Sequence, residues 1–268
     1  MEFRELGNTR EKIPIIGMGT WKLGVDPYGE KEALKLGIDK GMRFIDTAEM
    51  YNTEDIVGEA IRNTKNVFVA TKVSPNHFHY EDVVRACVES LKRLKMKTID
   101  LYQLHWPNNR IPISETMGAM ERLVDEGKIR HIGVSNFSVR ELKDAQESMK
   151  KYDIVSNQVE YSLLVRDIED ELLGYCVENK ITIIAYSPFA RGALFDKKYD
   201  KLLKLLSSIG SKYEKSAAQV ALNWLVVKNG VVTIPKASDK NHVIENAGAS
   251  DWKLRKDEMK TINNFLVV

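Results

Sequence analysis

The polar residues that interrupt otherwise apolar runs are the ones to read first. "FIDTAEMY" begins as an apolar strand at Phe44 and ends in Asp46, Thr47, Glu49 and Tyr51, none of which a core requires. The same form recurs in Lys72 of "VATKV", His105 of "QLHWP", Ser135 and Asn136 of "GVSNF", Gln158 of "NQVEY", and Tyr186 and Ser187 of "AYSPF". An unpaired ammonium among apolar neighbours is expensive, so Lys72 needs a carboxylate, and Asp46 is the natural partner. A phenol beside that cation is expected to ionise below its reference pKa of about 10, which would let Tyr51 give up a proton more readily near neutral pH. An uncharged His105 could orient a carbonyl oxygen toward the Tyr51 hydroxyl. No side chain in the set is a natural attacker at the carbonyl carbon, and that points to a cofactor that delivers hydride. Each residue also has a plainer reading: a structural ion pair for Asp46 and Lys72, a satisfied core histidine for His105, packing aromatics for Tyr51 and Tyr186.

Something must bring these residues to one place. Eight short apolar runs alternate with longer amphipathic stretches: "IPIIGMG", "RFID", "VFVATKV", "IDLYQLHW", "IRHIGVSN", "IVSNQVEY", "ITIIAYSP" and "VVTIPKA". In "EDVVRACVESLKRL" the residues Val84, Cys87, Val88, Leu91 and Leu94 fall on one helical face. Ser138 with Glu141 and Ser216 with Gln219 read as capping boxes, and Gly127 stands where a helix should stop. Eight strand and helix units in 268 residues predict a single (β/α)8 barrel domain over 1–268, with chemistry at the C-terminal ends of its strands. "FRELGNTREKIPI" is expected to form an N-terminal β-hairpin that caps the other end.

Lys and Arg number 40 against 38 Asp and Glu, a formal charge of +2 with both signs mixed, so no stripe invites nucleic acid. No stretch approaches the roughly 20 apolar residues of a membrane span, and the N-terminus has no apolar signal core; a cytoplasmic protein is expected. Cys87 and Cys176 suit reduced, buried thiols. His77 and His79 read as loop histidines without further ligands at metal-like spacing, so no metal is expected. Gly17 and Gly19 lack the third glycine and the immediate helix of a dinucleotide fingerprint, and phosphate-loop, zinc-protease and nucleophile-elbow motifs are absent.

The motifs "GMGTWK", "FIDTAEMY", "VATKV", "LYQLHWP", "GVSNF", "NQVEYS", "AYSPF" and "IPKAS…IEN", in this order and spacing, resemble the aldo-keto reductase family from Phe3 to Leu266. The resemblance implies an NADPH-dependent oxidoreductase that interconverts aldehydes or ketones and alcohols. It places Asp46, Tyr51, Lys72 and His105 in the family's catalytic tetrad, with Tyr51 the proton donor. Tyr186 matches the residue that stacks on the nicotinamide, and Ser135, Asn136 and Gln158 match those that hold its carboxamide. Thr20, Trp21 and Ser187 fall on further cofactor positions. Lys236, Ser238, His242, Glu245 and Asn246 fall on the segment that grips the adenosine end.

His242 stands where many members carry an arginine, and Ala237 where a serine or threonine is frequent. A guanidinium is a fixed charged fork that an imidazole does not reproduce, so NADPH is expected to be preferred while NADH is also accepted. Trp21, Trp106, Phe78 and Phe189 are expected to wall the substrate pocket, with Arg110 or Arg191 as candidates to recruit an anionic substrate group. The chain stops at "NNFLVV", which implies no long C-terminal specificity loop and an open, broadly specific site. A monomer acting on a small carbonyl or alcohol substrate is expected. Two other functions fit parts of the pattern: a redox sensor that binds nicotinamide with little turnover, and an aldolase using Lys72 as a Schiff base.

Overall fold

The computed structural model describes residues 1–266; Val267 and Val268, the end of the "NNFLVV" segment, lie outside them. The chain opens with the expected antiparallel hairpin, β1 (Phe3–Glu5) and β2 (Lys12–Pro14), in register Phe3 to Pro14. Eight parallel strands follow: β3 (Met18–Gly19), β4 (Phe44–Asp46), β5 (Phe68–Val73), β6 (Ile99–Leu104), β7 (Ile129–Ser135), β8 (Ile154–Glu160), β9 (Thr182–Tyr186) and β10 (Val231–Thr233). Each pairs with the next in chain order. The ring closes where Ile16 bridges Thr233 and the Gly17 amide donates to the Thr233 carbonyl at 2.8 Å. This is a (β/α)8 barrel.

One expected strand is divided. "IPIIGMG" gives its first residues to the hairpin, where Ile13 pairs with Arg4, and only Met18–Gly19 form a ladder with β4. Pro14 has no amide hydrogen to donate, which suits the end of a hairpin strand better than the interior of a barrel.

Helices α1 (Pro27–Asp39), α2 (Glu54–Ile61), α3 (Tyr80–Leu94), α4 (Ile113–Asp125), α5 (Val139–Ser148), α6 (Leu172–Glu178), α7 (Asp200–Gly210) and α8 (Ala217–Val226) lie between the strands, and α9 (Lys240–Ala247) and α10 (Lys256–Leu266) follow β10. Both capping boxes are formed, at the starts of α5 and α8. Gly127 follows α4 at φ 68°, a left-handed conformation that costs glycine little. Cys87 and Cys176 are buried free thiols, and burial pushes each pKa up to about 12.

The barrel interior is stratified. Leu6 and Ile13 of the hairpin close one end and pack with Phe44, Phe68, Ala70, Leu101, Val155 and Ile184 in a single apolar cluster. Above this plug, toward the strands' C-terminal ends, the inward residues turn polar. Lys72 of β5, Gln103 of β6, Gly133 of β7 and Ser156 of β8 stand side by side in register, and Lys72, Gln103 and Ser156 are wholly buried.

Candidate active site

The barrel positions its polar residues through the last rungs of its ladders. Asp46 ends β4, and its carbonyl accepts from the Thr20 amide at 3.0 Å. The chain then turns through Glu49–Tyr51 to a left-handed Asn52. That turn is tied down: the Glu49 carboxylate accepts from the Ser74 amide and lies 3.0 Å from His77 Nδ1, while the hydroxyls of Thr20 and Thr47 each lie 3.0 Å from that of Thr53. Tyr51 is thereby aimed back over the barrel mouth. His105 follows β6 and donates its amide to the Val73 carbonyl.

Lys72 is a wholly buried charge held by its neighbours. Its ammonium donates to Asp46 Oδ1 at 2.5 Å and to the Thr47 carbonyl at 2.8 Å, and lies 4.9 Å from the centre of the Tyr51 ring. Burial alone would lower its pKa, but Asp46 and Tyr51 outweigh burial and hold it raised, so the charge persists. Asp46 Oδ2 accepts from two amides, Gln158 Nε2 at 2.7 Å and Gln103 Nε2 at 3.2 Å.

The Tyr51 hydroxyl lies 3.2 Å from His105 Nε2. Burial and the Lys72 charge push the His105 imidazole down to about 3, so it is neutral near pH 7 and carries one N–H. For Tyr51 the structure reverses the direction expected from sequence. Desolvation raises its pKa and Asp46 adds to this, and together they exceed the opposing pull of Lys72. The phenol is therefore protonated at neutral pH, as a proton donor must be.

These groups face a cavity of about 580 Å³. Its lining brings together Thr20, Trp21, Asp46, Tyr51, His105, Trp106, Ser135, Asn136, Gln158, Tyr186, Ser187, Phe189 and Lys236. Asn136, at φ 63°, donates from Nδ2 to the His105 carbonyl at 3.1 Å and accepts from the Tyr186 hydroxyl at 2.9 Å, which fixes the amide beside the ring. Lys72 stands behind Asp46 and does not line the cavity. Ser238, His242, Glu245 and Asn246 lie beyond it, on the turn and helix that continue from Lys236; the Lys236 ammonium donates to Ser238 Oγ at 3.2 Å.

Phe78 is a correction. It is 1% exposed and packs in the outer core among residues such as Val83 and Cys87, away from the cavity. The turn Pro75–His77 directs it under the barrel's rim, and the Thr116 hydroxyl donates to its carbonyl at 2.8 Å. Met50 and Phe195 supply the wall in its place. Of the two candidate arginines, Arg191 lines the cavity and Arg110 does not. Arg191 bridges Glu160 at 2.9 Å and lies 5.8 Å from the Trp21 ring centre.

The donor set suits a nicotinamide nucleotide. Two fixed primary amides and a serine hydroxyl match a carboxamide, the Tyr186 ring offers a flat apolar face, and Lys22 and Lys236 put positive charge on the cavity lining, which suits an anionic ligand group. No group of three or more potential metal ligands exists among the described residues.

Fold and site together define an oxidoreductase-type barrel, and comparison with known proteins gives its family. The family model described as the Aldo/keto reductase family matches residues 15–266, and the chain belongs to that family. Methylglyoxal reductase YeaE of Escherichia coli strain K12 is 36% identical over 260 residues, covering 94% of this chain and 90% of the relative. A thermostable aldo-keto reductase solved with the inhibitor epalrestat superposes with a TM-score of 0.93 at 39% identity, covering 98% of this chain and 99% of that one. An aldo-keto reductase from Klebsiella pneumoniae, solved with NADPH, has a TM-score of 0.91 at 36% identity over 99% of this chain and 96% of that one.

Proposed function

We propose that this chain is an NADPH-dependent reductase of small aldehydes and ketones, reversible toward alcohol oxidation, in which Tyr51 supplies the proton. The observation that carries the reading is the Tyr51 hydroxyl at the cavity floor, protonated, within reach of a neutral His105 and backed by the buried Lys72 charge. NADPH, when bound, supplies the hydride. The chain's own residues do the rest. Ser135, Asn136 and Gln158 hold the carboxamide, and Tyr186 supports the ring. His105 and Tyr51 present two polar hydrogens to a carbonyl oxygen, and as charge grows there the Tyr51 proton passes to it. Lys72 eases that transfer by stabilising the phenolate left behind. Asp46 keeps the ammonium in place. Thr20, Trp21 and Ser187 line the cofactor's path, and Lys236, Ser238, His242, Glu245 and Asn246 hold its adenosine end.

The Asp239 carboxylate accepts from the amides of Asn241 and His242, two of the first-turn donors that helix α9 would otherwise offer an anion. With His242 in place of an arginine, this supports a preference for NADPH over NADH of less than a thousandfold. Trp21, Trp106, Phe189 and Phe195, with Met50, give a largely aromatic wall suited to small reactive aldehydes of the methylglyoxal kind, for which the Escherichia coli relative is named. An aldolase role for Lys72 is disfavoured because its amine is charged, paired and out of the cavity. A single domain working as a cytoplasmic monomer completes the reading; buried reduced thiols accord with it, and no helix of the described residues is long and apolar enough to cross a membrane.

The test is the fall in reduced-nicotinamide absorbance when the protein meets NADPH with methylglyoxal or an aromatic aldehyde. Turnover is expected. Tight NADPH binding with no turnover on any carbonyl would instead favour a redox sensor.

A further inference from the structure

Gln103 has no place in the chemistry described so far, yet it touches the charge that the chemistry depends on. It sits in "DLYQLHW", where a buried inward strand position would ordinarily be apolar. Its side chain is wholly buried, and its Nε2 donates to Asp46 Oδ2, while its Oε1 finds no hydrogen-bond partner among the described residues. Leaving a buried carbonyl oxygen unpaired costs free energy that a leucine or methionine would not incur. The bond that the other end of the Gln103 amide makes to Asp46 offsets that cost.

The surroundings are cut to admit it. Gln103 is the register neighbour of Lys72 on one side and Gly133 on the other. A Cβ on Gly133 would stand 2.5 Å from Ser156 Oγ and 3.0 Å from Gln103 Cγ, so no larger residue fits without displacing one of them. The amide is thus laid beside Lys72 and pointed at Asp46. The carboxylate is gripped at both oxygens, by Lys72 on Oδ1 and by two amides on Oδ2.

We propose that Gln103 is a positioning residue, which through its bond to Asp46 fixes the carboxylate so that the Lys72 ammonium stays directed at Tyr51. Burial and the charges of Lys72 on β5 and Asp46 on β4 set the acidity of Tyr51; His105 after β6 lies 3.2 Å from its hydroxyl, and Tyr186 on β9 lines the same cavity. Asp46 repels a phenolate, and each amide on Oδ2 draws off part of that negative charge. Without Gln103, Oδ2 keeps only Gln158, the carboxylate is freer to turn, and Tyr51 becomes a weaker acid. This inference rests on Tyr51 as the proton donor.

Gln103→Met removes the donor and keeps the length; Gln103→Leu serves if the methionine variant is not recovered folded. Two quantities are read. One is the alkaline limb of kcat/KM for aldehyde reduction. The other is the tyrosinate absorbance of the cofactor-free protein on titration, with the Tyr51→Phe signal subtracted. The expected result is a kcat roughly three- to tenfold lower, with both the limb and the tyrosinate midpoint displaced upward by about half a pH unit, equivalent to a threefold change in acidity. Ser156→Ala, in the same layer but not touching Asp46, should move neither midpoint. A lower rate with both midpoints unmoved, or no change at all, would overturn the proposal and leave Gln103 as packing. Should wild type show no turnover, the proposed function fails, while the absorbance titration still decides whether Gln103 tunes Tyr51.

Discussion

Two lysines mark the extremes of the site. Lys72 is wholly buried and gripped by a carboxylate and a backbone carbonyl, whereas Lys236 is exposed and bonds a serine hydroxyl. Water cannot screen the first and does screen the second. The inner end therefore offers fixed electrostatics, set before any ligand arrives, to the place where charge develops in the reaction. The outer end offers adjustable affinity, and it is also where the chain departs from its family's usual residues. Rate should depend on the first region, and the choice between cofactors on the second.

The strongest way to break this contrast is to remove each charge in turn. Lys72→Met should lower kcat by about 10²–10⁴, and because it strands the Asp46 carboxylate it should also cost roughly 3–5 kcal/mol of stability. Lys236→Met should raise the Kd for NADPH by about tenfold, about 1.4 kcal/mol, with kcat nearly unchanged. Steady-state kinetics beside denaturant unfolding separates the two. Similar kcat losses in both variants would erase the distinction.

A pH profile sharpens it. Tyr51 is protonated below its raised pKa, so reduction should decline only on the alkaline side, above the ordinary phenol value of 10.0. His105 should add no limb near neutrality, since its pKa lies at about 3. The same group shapes stability. The unfolded imidazole takes a proton near 6.5 and the folded one refuses it until about 3, so the unfolded state binds more protons in that window and stability falls as pH drops through it. His105→Gln should lessen that acid-side decline in a melting series. A kcat/KM limb near pH 6.5 that vanishes in this variant would contradict a neutral His105.

The smallest expected effect belongs to the outer end. His242→Arg should increase the NADPH over NADH preference by about tenfold, or 1.4 kcal/mol, without altering kcat. Titrating both cofactors against wild type and variant checks it, and an unchanged ratio would mean that the position does not reach the 2′-phosphate.

The order of strands and the residues at their ends were legible because both rest on local chemistry: apolar runs bounded by turn residues, and polar side chains where a strand has no reason for them. Asp46, Lys72 and His105 announce themselves in this way, and the barrel brings them together. What stayed hidden depends on geometry that spacing does not carry. Phe78 and Phe195 are both loop aromatics, and only the path of each turn decides which enters the core and which the cavity. Gln103 did carry a signal, as a polar residue within a buried strand, but its meaning required the register that sets it beside Lys72. The acidity of Tyr51 was misjudged because sequence shows its charged neighbours and not the depth of its burial. "IPIIGMG" reads as one strand, and only the hairpin's demand for Ile13 divides it.

Proton donation by Tyr51 is the claim on which the account stands, and single-turnover reduction of an aldehyde by Tyr51→Phe, with NADPH affinity measured alongside, tests it most directly. The account predicts an unchanged cofactor Kd and a hydride-transfer rate reduced by about 10²–10⁴. A variant that reduces the aldehyde within a few-fold of the wild-type rate would contradict it.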